Sequence, residues 1–306
     1  MPLARIFLLL LPMVLLVTAA FADQFDKGRE ALRRGDYPAA LRVFQNLAEA
    51  GDARGQNGLG VMYKNGFAVE KDYSEAVKWF HLAAEQGYAS AQANLGTQYL
   101  AGRGVSQDFE EAANWFRLAA EQGHAKAQYT LGLMHGSGEG VSEDDAEAVR
   151  WYSLAAEQGH AKAQYHLGIK YAKGEGVPKD NAEAAKWFRL AAEQGLASAQ
   201  YDLGAMYESG EGVSEDKAEA VRWFRLAAEQ GHASAQEDLG LMYAFGWGVH
   251  RDHVAGHMWS TISAANGSTT AQLNMEALEG IMTQEAILEA QRRARLCMSS
   301  DYEQCD

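Results

Sequence analysis

The sequence is short of positive charge. Its 306 residues include 27 lysines and arginines against 41 aspartates and glutamates, for a formal net charge of −14. A nucleic-acid partner requires a surplus of lysine and arginine on some face, so this balance argues against one. Alternation of strand-forming residues is almost absent, which disfavours an all-β fold. There are only two cysteines and four prolines, yet the chain has 31 glycines, an unexpected number for a mostly helical composition.

Recognisable catalytic motifs are also missing. The sequence contains no Gly-x-Ser-x-Gly, no His-Glu-x-x-His and no phosphate-binding loop. The acidic residues are spread over loops and helix starts, which is typical of a solvated outer face. We therefore expect a protein without enzymatic activity and without a cofactor.

Long hydrophobic runs are confined to the N-terminus. Residues 6–17 are almost all apolar, and Ala20 and Ala22 place small side chains at the −3 and −1 positions of a signal-peptidase cleavage before Asp23. A run of about 12 apolar residues is too short to span a bilayer and is typical of a secretory signal. A short N-terminal anchor is the alternative. We predict a signal peptide over residues 1–22, export to a periplasm or beyond the cell, and no transmembrane segment in the mature chain.

The glycines recur at a fixed interval of 36 residues. The positions that share this spacing are Gly51, Gly87, Gly123, Gly159, Gly195, Gly231 and Gly267. A glutamine, a Leu-Gly pair, an aromatic residue, a second glycine and an aspartate recur in register within each interval. Six of the seven tryptophans occupy one repeat position. A period of this length predicts a repeat array.

Each repeat has the pattern of two helices. Gln128, Leu131 and His135 share one stripe at spacings of three and four, which predicts a first helix from Ala125 to Ser137, ended by Gly138. A second helix opens with acidic residues, runs through Trp151 and ends at Gly159. The glycine at position 132 lies inside the first helix, and its recurrence predicts a close crossing of the two helices.

The array extends beyond the regular intervals into divergent ends. Residues 23–51 are expected to form an N-terminal partial or capping repeat, and residues 52–267 six complete repeats. Residues 268–306 are expected to form C-terminal capping helices, whose outer faces meet water. The total is about 16 helices in one stack.

These residues resemble a known family. The unit Ala-x-Ala-Gln-x-x-Leu-Gly-x-x-Tyr-x-x-Gly-x-Gly-Val, followed by Ala-x-x-Trp-Phe and Ala-Ala-Glu-Gln-Gly, resembles the Sel1-like repeat, a relative of the tetratricopeptide repeat. The resemblance covers roughly residues 36–279. It implies an all-α, right-handed α-solenoid of antiparallel helix pairs with a role in protein–protein interaction. A cysteine-rich branch was once described as penicillin-binding or β-lactamase-like. The chain lacks that branch's paired cysteines, so an envelope enzyme stays only an alternative.

The same resemblance places a partner on the inner, concave face formed by the first helices. The residues expected there are Lys126, Tyr129, Leu133, Lys162, Tyr165, Ile169 and Tyr201. Tyrosine combines a rigid ring with a polar tip, as binding surfaces prefer. The alternative is that these tyrosines only pack between repeats. The expected partner is a protein or peptide.

Two smaller groups of residues remain. His250, His253 and His257 are weak candidates for metal ligands or for a metal or pH sensor, because no carboxylate or cysteine completes a recognisable motif. We therefore expect no metal site. Cys297 and Cys305 are eight residues apart, and in an oxidising compartment they are predicted to form a disulfide. Free thiols or pairing between chains are the alternatives.

Overall fold

The computed structural model describes residues 23–305, and the predicted signal peptide lies outside these residues. The described residues form sixteen helices and no strand. The first helices of the repeats, preceded by α1 (residues 23–33), are α3 Ala53–Asn65, α5 Ala89–Ala101, α7 Ala125–Ser137, α9 Ala161–Lys173, α11 Ala197–Ser209, α13 Ala233–Phe245 and α15 Thr269–Glu279. The second helices are α2 Tyr37–Glu49, α4 Tyr73–Glu85, α6 Phe109–Glu121, α8 Asp145–Glu157, α10 Asn181–Glu193, α12 Lys217–Ala228 and α14 His253–Ala265, followed by α16 Gln284–Ser299.

The helices divide into two compact units, with the boundary inside α8. Unit 1 ends at Trp151 and unit 2 begins at Tyr152. In unit 1, α4 packs between α3 and α5, and α6 packs between α5 and α7. In unit 2, α10, α12 and α14 each pack between the first helices on either side, and α16 packs against α14. Each unit is therefore a stack of antiparallel helix pairs, and the predicted all-α solenoid class with a 36-residue period is confirmed.

Local sequence signals explain where the helices begin and end. The recurrent aspartate is the N-cap of each second helix: Asp180, for example, accepts a hydrogen bond from the backbone N–H of Glu183 at 2.9 Å. The first helices end at the recurrent second glycine, as α7 does at Gly138, which has a φ of 72°. A left-handed residue in this position costs glycine little. The bounds of α7 are those that the sequence predicts.

The two helices of a repeat approach each other at the Leu-Gly pair. A Cβ atom added to Gly204 would lie 2.7 Å from the ring of Phe224, and one added to Gly168 would lie 2.7 Å from the ring of Phe188. Any side chain larger than hydrogen would have to displace a buried ring. The close crossing predicted from this recurrent glycine is therefore present, with an aromatic ring lying against it.

A ladder of buried amides joins consecutive repeats. The Nε2 of Gln200 donates to the backbone carbonyl of Ala192 at 3.1 Å, and its Oε1 accepts a hydrogen bond from Nε2 of Gln230 at 2.7 Å. The glutamines that occupy the same position and make the same pair of contacts are Gln92, Gln164 and Gln236, the last with Asn266 as its donor. Buried amides are costly when unpaired, so the ladder explains why glutamine recurs at this position.

Within the described residues, no helix combines the length and the apolar character needed to cross a bilayer.

Candidate partner-binding surface

The residues predicted to contact a partner lie on three first helices. Lys126, Tyr129 and Leu133 are in α7 of unit 1, Lys162, Tyr165 and Ile169 are in α9 of unit 2, and Tyr201 is in α11 of unit 2. Lys126 and Lys162 are exposed, whereas the three tyrosines are half-buried. Burial raises the pKa of Tyr129. Unit 2 contributes four of the seven residues, and their contacts define the surface there.

Tyr165 bridges two consecutive repeats. Its ring lies 5.7 Å from the ring of Phe188, and its hydroxyl interacts with the carboxylate of Asp202 in the next first helix. Burial, together with the negative charge of Asp202, raises the pKa of Tyr165 to about 12. The hydroxyl is therefore protonated at neutral pH, and the ring packs against Phe188.

Tyr201 repeats this arrangement one step further along unit 2. Its ring lies 5.6 Å from Phe224 and stacks on His232 at 4.7 Å, while its hydroxyl interacts with the carboxylate of Asp238. Burial and the charge of Asp238 raise the pKa of Tyr201 to about 12. Both tyrosines thus make the contacts expected of packing between repeats, the alternative role, while their half-buried rings remain part of the surface.

The two aspartates are functional candidates that the sequence reasoning missed. Each lies 37 residues after its tyrosine, and this spacing was the signal that could have revealed them. Burial raises the pKa of Asp202 despite the hydrogen bond from Tyr165. Burial also raises the pKa of Asp238 to about 6, an effect strengthened by the nearby charge of Glu208. At neutral pH Asp238 therefore carries a negative charge that its surroundings disfavour.

The first helices of unit 2 differ in charge. Helix α9 carries three lysines, Lys162, Lys170 and Lys173, and no acidic residue. Helices α11 and α13 together carry four acidic residues and no lysine or arginine, namely Asp202, Glu208, Glu237 and Asp238. Burial and the nearby Lys170 and Lys162 lower the pKa of His166, so this part of α9 disfavours further positive charge. The surface therefore passes from basic to acidic along the repeats.

We expect Asp238→Asn to stabilise the protein at neutral pH. The folded state holds the Asp238 proton more tightly than the unfolded state, so the contribution of this group to stability falls as pH rises from about 4 to about 6. Asparagine keeps an acceptor for Tyr201 without the charge. Urea unfolding should show that the variant has a free energy of unfolding about 1 kcal/mol higher than the wild type at pH 7.5, a figure reduced for solvent screening of the carboxylate. This gain should shrink towards zero at pH 4. A variant less stable than wild type at pH 7.5 would contradict this interpretation.

The three candidate histidines are not brought together as metal ligands. His257 is fully buried, and its Nε2 lies 3.0 Å from Oε1 of Glu279, while its Nδ1 lies 3.2 Å from Oγ1 of Thr261. His250 is exposed in the loop before α14. Across the described part of the chain, no three histidine, cysteine, aspartate or glutamate side chains are grouped so that they could hold a metal ion. His257 thus acts as a contact between α14 and α15.

Cys297 and Cys305 form a disulfide in the structure. Their Cα atoms are 4.5 Å apart, and both residues are buried. Cys297 lies near the end of α16 and packs into the core of unit 2 with residues of α12 and α14. The bond therefore ties the C-terminal segment to the cap of unit 2.

Comparisons with known proteins agree with this architecture. The family model described as Sel1 repeat matches six consecutive segments, residues 53–88, 89–124, 125–160, 161–196, 197–232 and 233–268. Among solved structures, a protective antigen of uropathogenic Escherichia coli displaying an SLR fold is 37% identical, with a TM-score of 0.77. The alignment covers 86% of this chain but only 57% of the antigen. No curated protein matches the chain.

A second solved structure matches over nearly its full length. A Sel1 repeat protein from Oxalobacter formigenes is 33% identical with a TM-score of 0.69, and the alignment covers 79% of this chain and 96% of that one.

Proposed function

The chain belongs to the Sel1 repeat family, and we propose that it is an exported, non-enzymatic scaffold that binds a protein or peptide partner on its first helices. Proteins of this family are generally protein-interaction scaffolds. The observation that carries the proposal is the pair of half-buried tyrosines on α9 and α11, whose rings lie 5.7 Å from Phe188 and 5.6 Å from Phe224, with the carboxylates of Asp202 and Asp238 beside their hydroxyls. They present aromatic rings and charges in fixed positions on one surface of unit 2.

Fixed side chains favour binding because little entropy remains to be lost. An interface loses free energy for each flexible side chain that it immobilises. Tyr165 and Tyr201 are already held by an aromatic contact on one side and a carboxylate on the other. A partner that packs on these rings gains apolar contact without ordering them.

The charge pattern indicates the chemistry of the partner. Lys162 on α9 is exposed and would attract an acidic side chain. Asp238 is partly removed from water and is repelled by Glu208, so a basic side chain of the partner would relieve an existing penalty. We therefore propose an extended segment with an acidic residue over α9, an apolar residue over the tyrosines, and a basic residue over α11 and α13.

Export is part of the proposal and rests on the N-terminal sequence. Residues 1–22 have the charge, the apolar run and the small residues of a secretory signal. The disulfide between Cys297 and Cys305 is of a kind that persists in oxidising compartments such as a periplasm.

Selection from a display library of random peptides tests the binding surface. Peptides enriched on the wild-type protein should carry acidic, apolar and basic residues in the order given above. The double variant Lys162→Glu, Tyr165→Ala should bind a selected peptide more than about tenfold more weakly by fluorescence anisotropy, because it reverses one charge and removes one ring.

Lys186→Glu is the matched control for the charge reversal. Lys186 is an exposed residue of the second helix α10 and pairs with Glu183 of the same helix. Its peptide affinity should equal that of the wild type. Lys162→Glu alone serves as a variant that leaves the Tyr165–Asp202 bridge intact. Equal binding by all four proteins would show that the first helices of unit 2 are the wrong surface.

A further inference from the structure

One repeat of unit 2 lacks the aromatic ring that the other repeats bury. The residue after the tryptophan position is aromatic and at most 4% exposed in every earlier second helix, at Phe44, Phe80, Phe116, Tyr152, Phe188 and Phe224. In α14 this residue is Ser260. A Cβ atom added to Gly240 would meet only the Ser260 hydroxyl oxygen and backbone, where the equivalent glycines meet a ring.

A cavity occupies the place of the missing ring. It has a volume of about 310 Å³ and lies between α13, α14 and α15, where Gly240, Ser260, Asn274 and Leu278 are part of its lining. A dry cavity of about 150 Å³ accommodates benzene, and small-molecule sites start near 300 Å³. The space is therefore large enough for an aromatic ring with a short substituent.

Two polar groups in this lining have no partner. Ser260 is 1% exposed, and its Oγ makes no hydrogen bond. The buried Nδ2 of Asn274 also makes none. Asn274 occupies the repeat position of Asp202 and Asp238, which receive tyrosine hydroxyls in the earlier repeats. Buried polar groups are normally hydrogen-bonded, so both atoms are available to pair with a polar group of a ligand.

The same cavity has a basic side chain at its exposed part. Arg251, which is exposed, and His253, at the start of α14, also line it. Arginine recognises carboxylates through paired N–H donors. The lining thus combines space for a ring, a hydroxyl and an amide N–H in the buried part, and a guanidinium towards solvent.

We propose that this cavity binds a phenolic ring that carries a carboxylate on a short chain. The ring takes the place of the missing phenylalanine, and its hydroxyl pairs with Ser260 and Asn274. The carboxylate pairs with Arg251. The chain itself places a hydroxyphenyl ring at the same repeat position in α8, as Tyr152. Both a free phenolic acid and a C-terminal tyrosine of a peptide have this chemistry.

Isothermal titration calorimetry with 3-(4-hydroxyphenyl)propionate and with N-acetyl-Gly-Tyr tests the proposal and distinguishes the two sources. At least one probe should bind the full-length wild-type protein with a dissociation constant below about 1 mM. Binding by the peptide alone would identify a peptide terminus as the ligand, and binding by the free acid alone would identify a small molecule. If neither probe binds, the cavity holds only water and the proposal is overturned.

Ser260→Phe restores the ring that the other repeats carry. It should abolish binding of both probes and raise the melting temperature, because it fills the cavity. Arg251→Gln should lower the affinity for 3-(4-hydroxyphenyl)propionate at least fivefold and leave the affinity for 3-(4-hydroxyphenyl)propanamide unchanged. Arg222→Gln, an exposed arginine of α12, is its control and should change neither affinity. Full binding by a folded Ser260→Phe protein would overturn the assignment.

A third variant keeps the test decisive if Ser260→Phe does not fold. Asn274→Leu removes the donor that faces the phenol without adding a ring. It should lower the affinity for 3-(4-hydroxyphenyl)propionate severalfold and leave the affinity for 3-phenylpropionate unchanged. Equal loss for both probes would contradict the assigned hydrogen bond.

Discussion

Gly212→Ala is expected to lower the free energy of unfolding by about 3 kcal/mol, since it combines a left-handed backbone with a clash. Gly212 has a φ of +73°, and a Cβ atom there would lie 2.2 Å from the backbone carbonyl oxygen of Asn181 at the start of α10. The loop after α11 and the start of α10 would have to separate. Chemical denaturation monitored by circular dichroism measures the loss.

Gly195→Ala is the matched control. Gly195 has a φ of +86°, yet a Cβ atom there would have no neighbour within 4 Å. The same substitution should therefore cost only about 1 kcal/mol, the contribution of the backbone conformation alone. The difference between the two variants isolates the clash. Equal losses would show that the approach of the loop to α10 contributes nothing to stability.

Phe224→Ala should destabilise unit 2 by about 3–5 kcal/mol, because it leaves a cavity in a fully buried position. Phe224 is 0% exposed and lies against Gly204 and Tyr201. Repeats contact mainly their neighbours, so the loss should be local. Hydrogen exchange should show reduced protection in α11, α12 and α13, with protection in α4 and α5 retained.

Leu226→Ala is the control for Phe224→Ala. It lies two residues further along α12 but is 36% exposed, and its loss should cost less than about 1 kcal/mol. A uniform fall in hydrogen-exchange protection across all helices of Phe224→Ala would contradict local unfolding. So would a single cooperative unfolding transition like that of the wild type.

The sequence predicted those parts of the fold that depend on short-range signals. Helix α7 begins and ends where the pattern placed it, because a cap is decided by one or two residues at the helix end, such as Gly138. The fixed 36-residue spacing then carried the same bounds through the other complete repeats. Fold class and repeat number therefore followed from the sequence alone.

Relative burial within the repeat did not follow from the sequence. Tryptophan was the most conspicuous repeated residue, yet Trp79, Trp115 and Trp187 are only half-buried. The next residue is a buried aromatic in every second helix except α14, because it faces the glycine of the neighbouring first helix. The sequence alone does not show which of two adjacent large side chains on a helix is the more buried, because this depends on the position of the packing partner.

The contacts within the candidate surface could not be predicted from the sequence, for a similar reason. Tyr165 and Tyr201 were identified from their register, but their contacts to Asp202 and Asp238 join residues in consecutive repeats. His257 likewise meets Glu279, a residue of another helix, and so is a structural contact rather than a metal ligand. Such pairings depend on how one helix is rotated against the next, which periodicity alone does not specify.

The buried amide ladder has a consequence for how such a chain can change in length. Within unit 2, Gln164, Gln200 and Gln236 each donate to the repeat before and accept from the residue that closes their own repeat. Removing or duplicating 36 residues would rebuild an equivalent junction in which these amides can still pair. A deletion that shifts the register at these positions would separate buried donors from their acceptors. A change in length by whole repeats therefore keeps the buried amides paired, which is a physical reason for the strict 36-residue period of the chain.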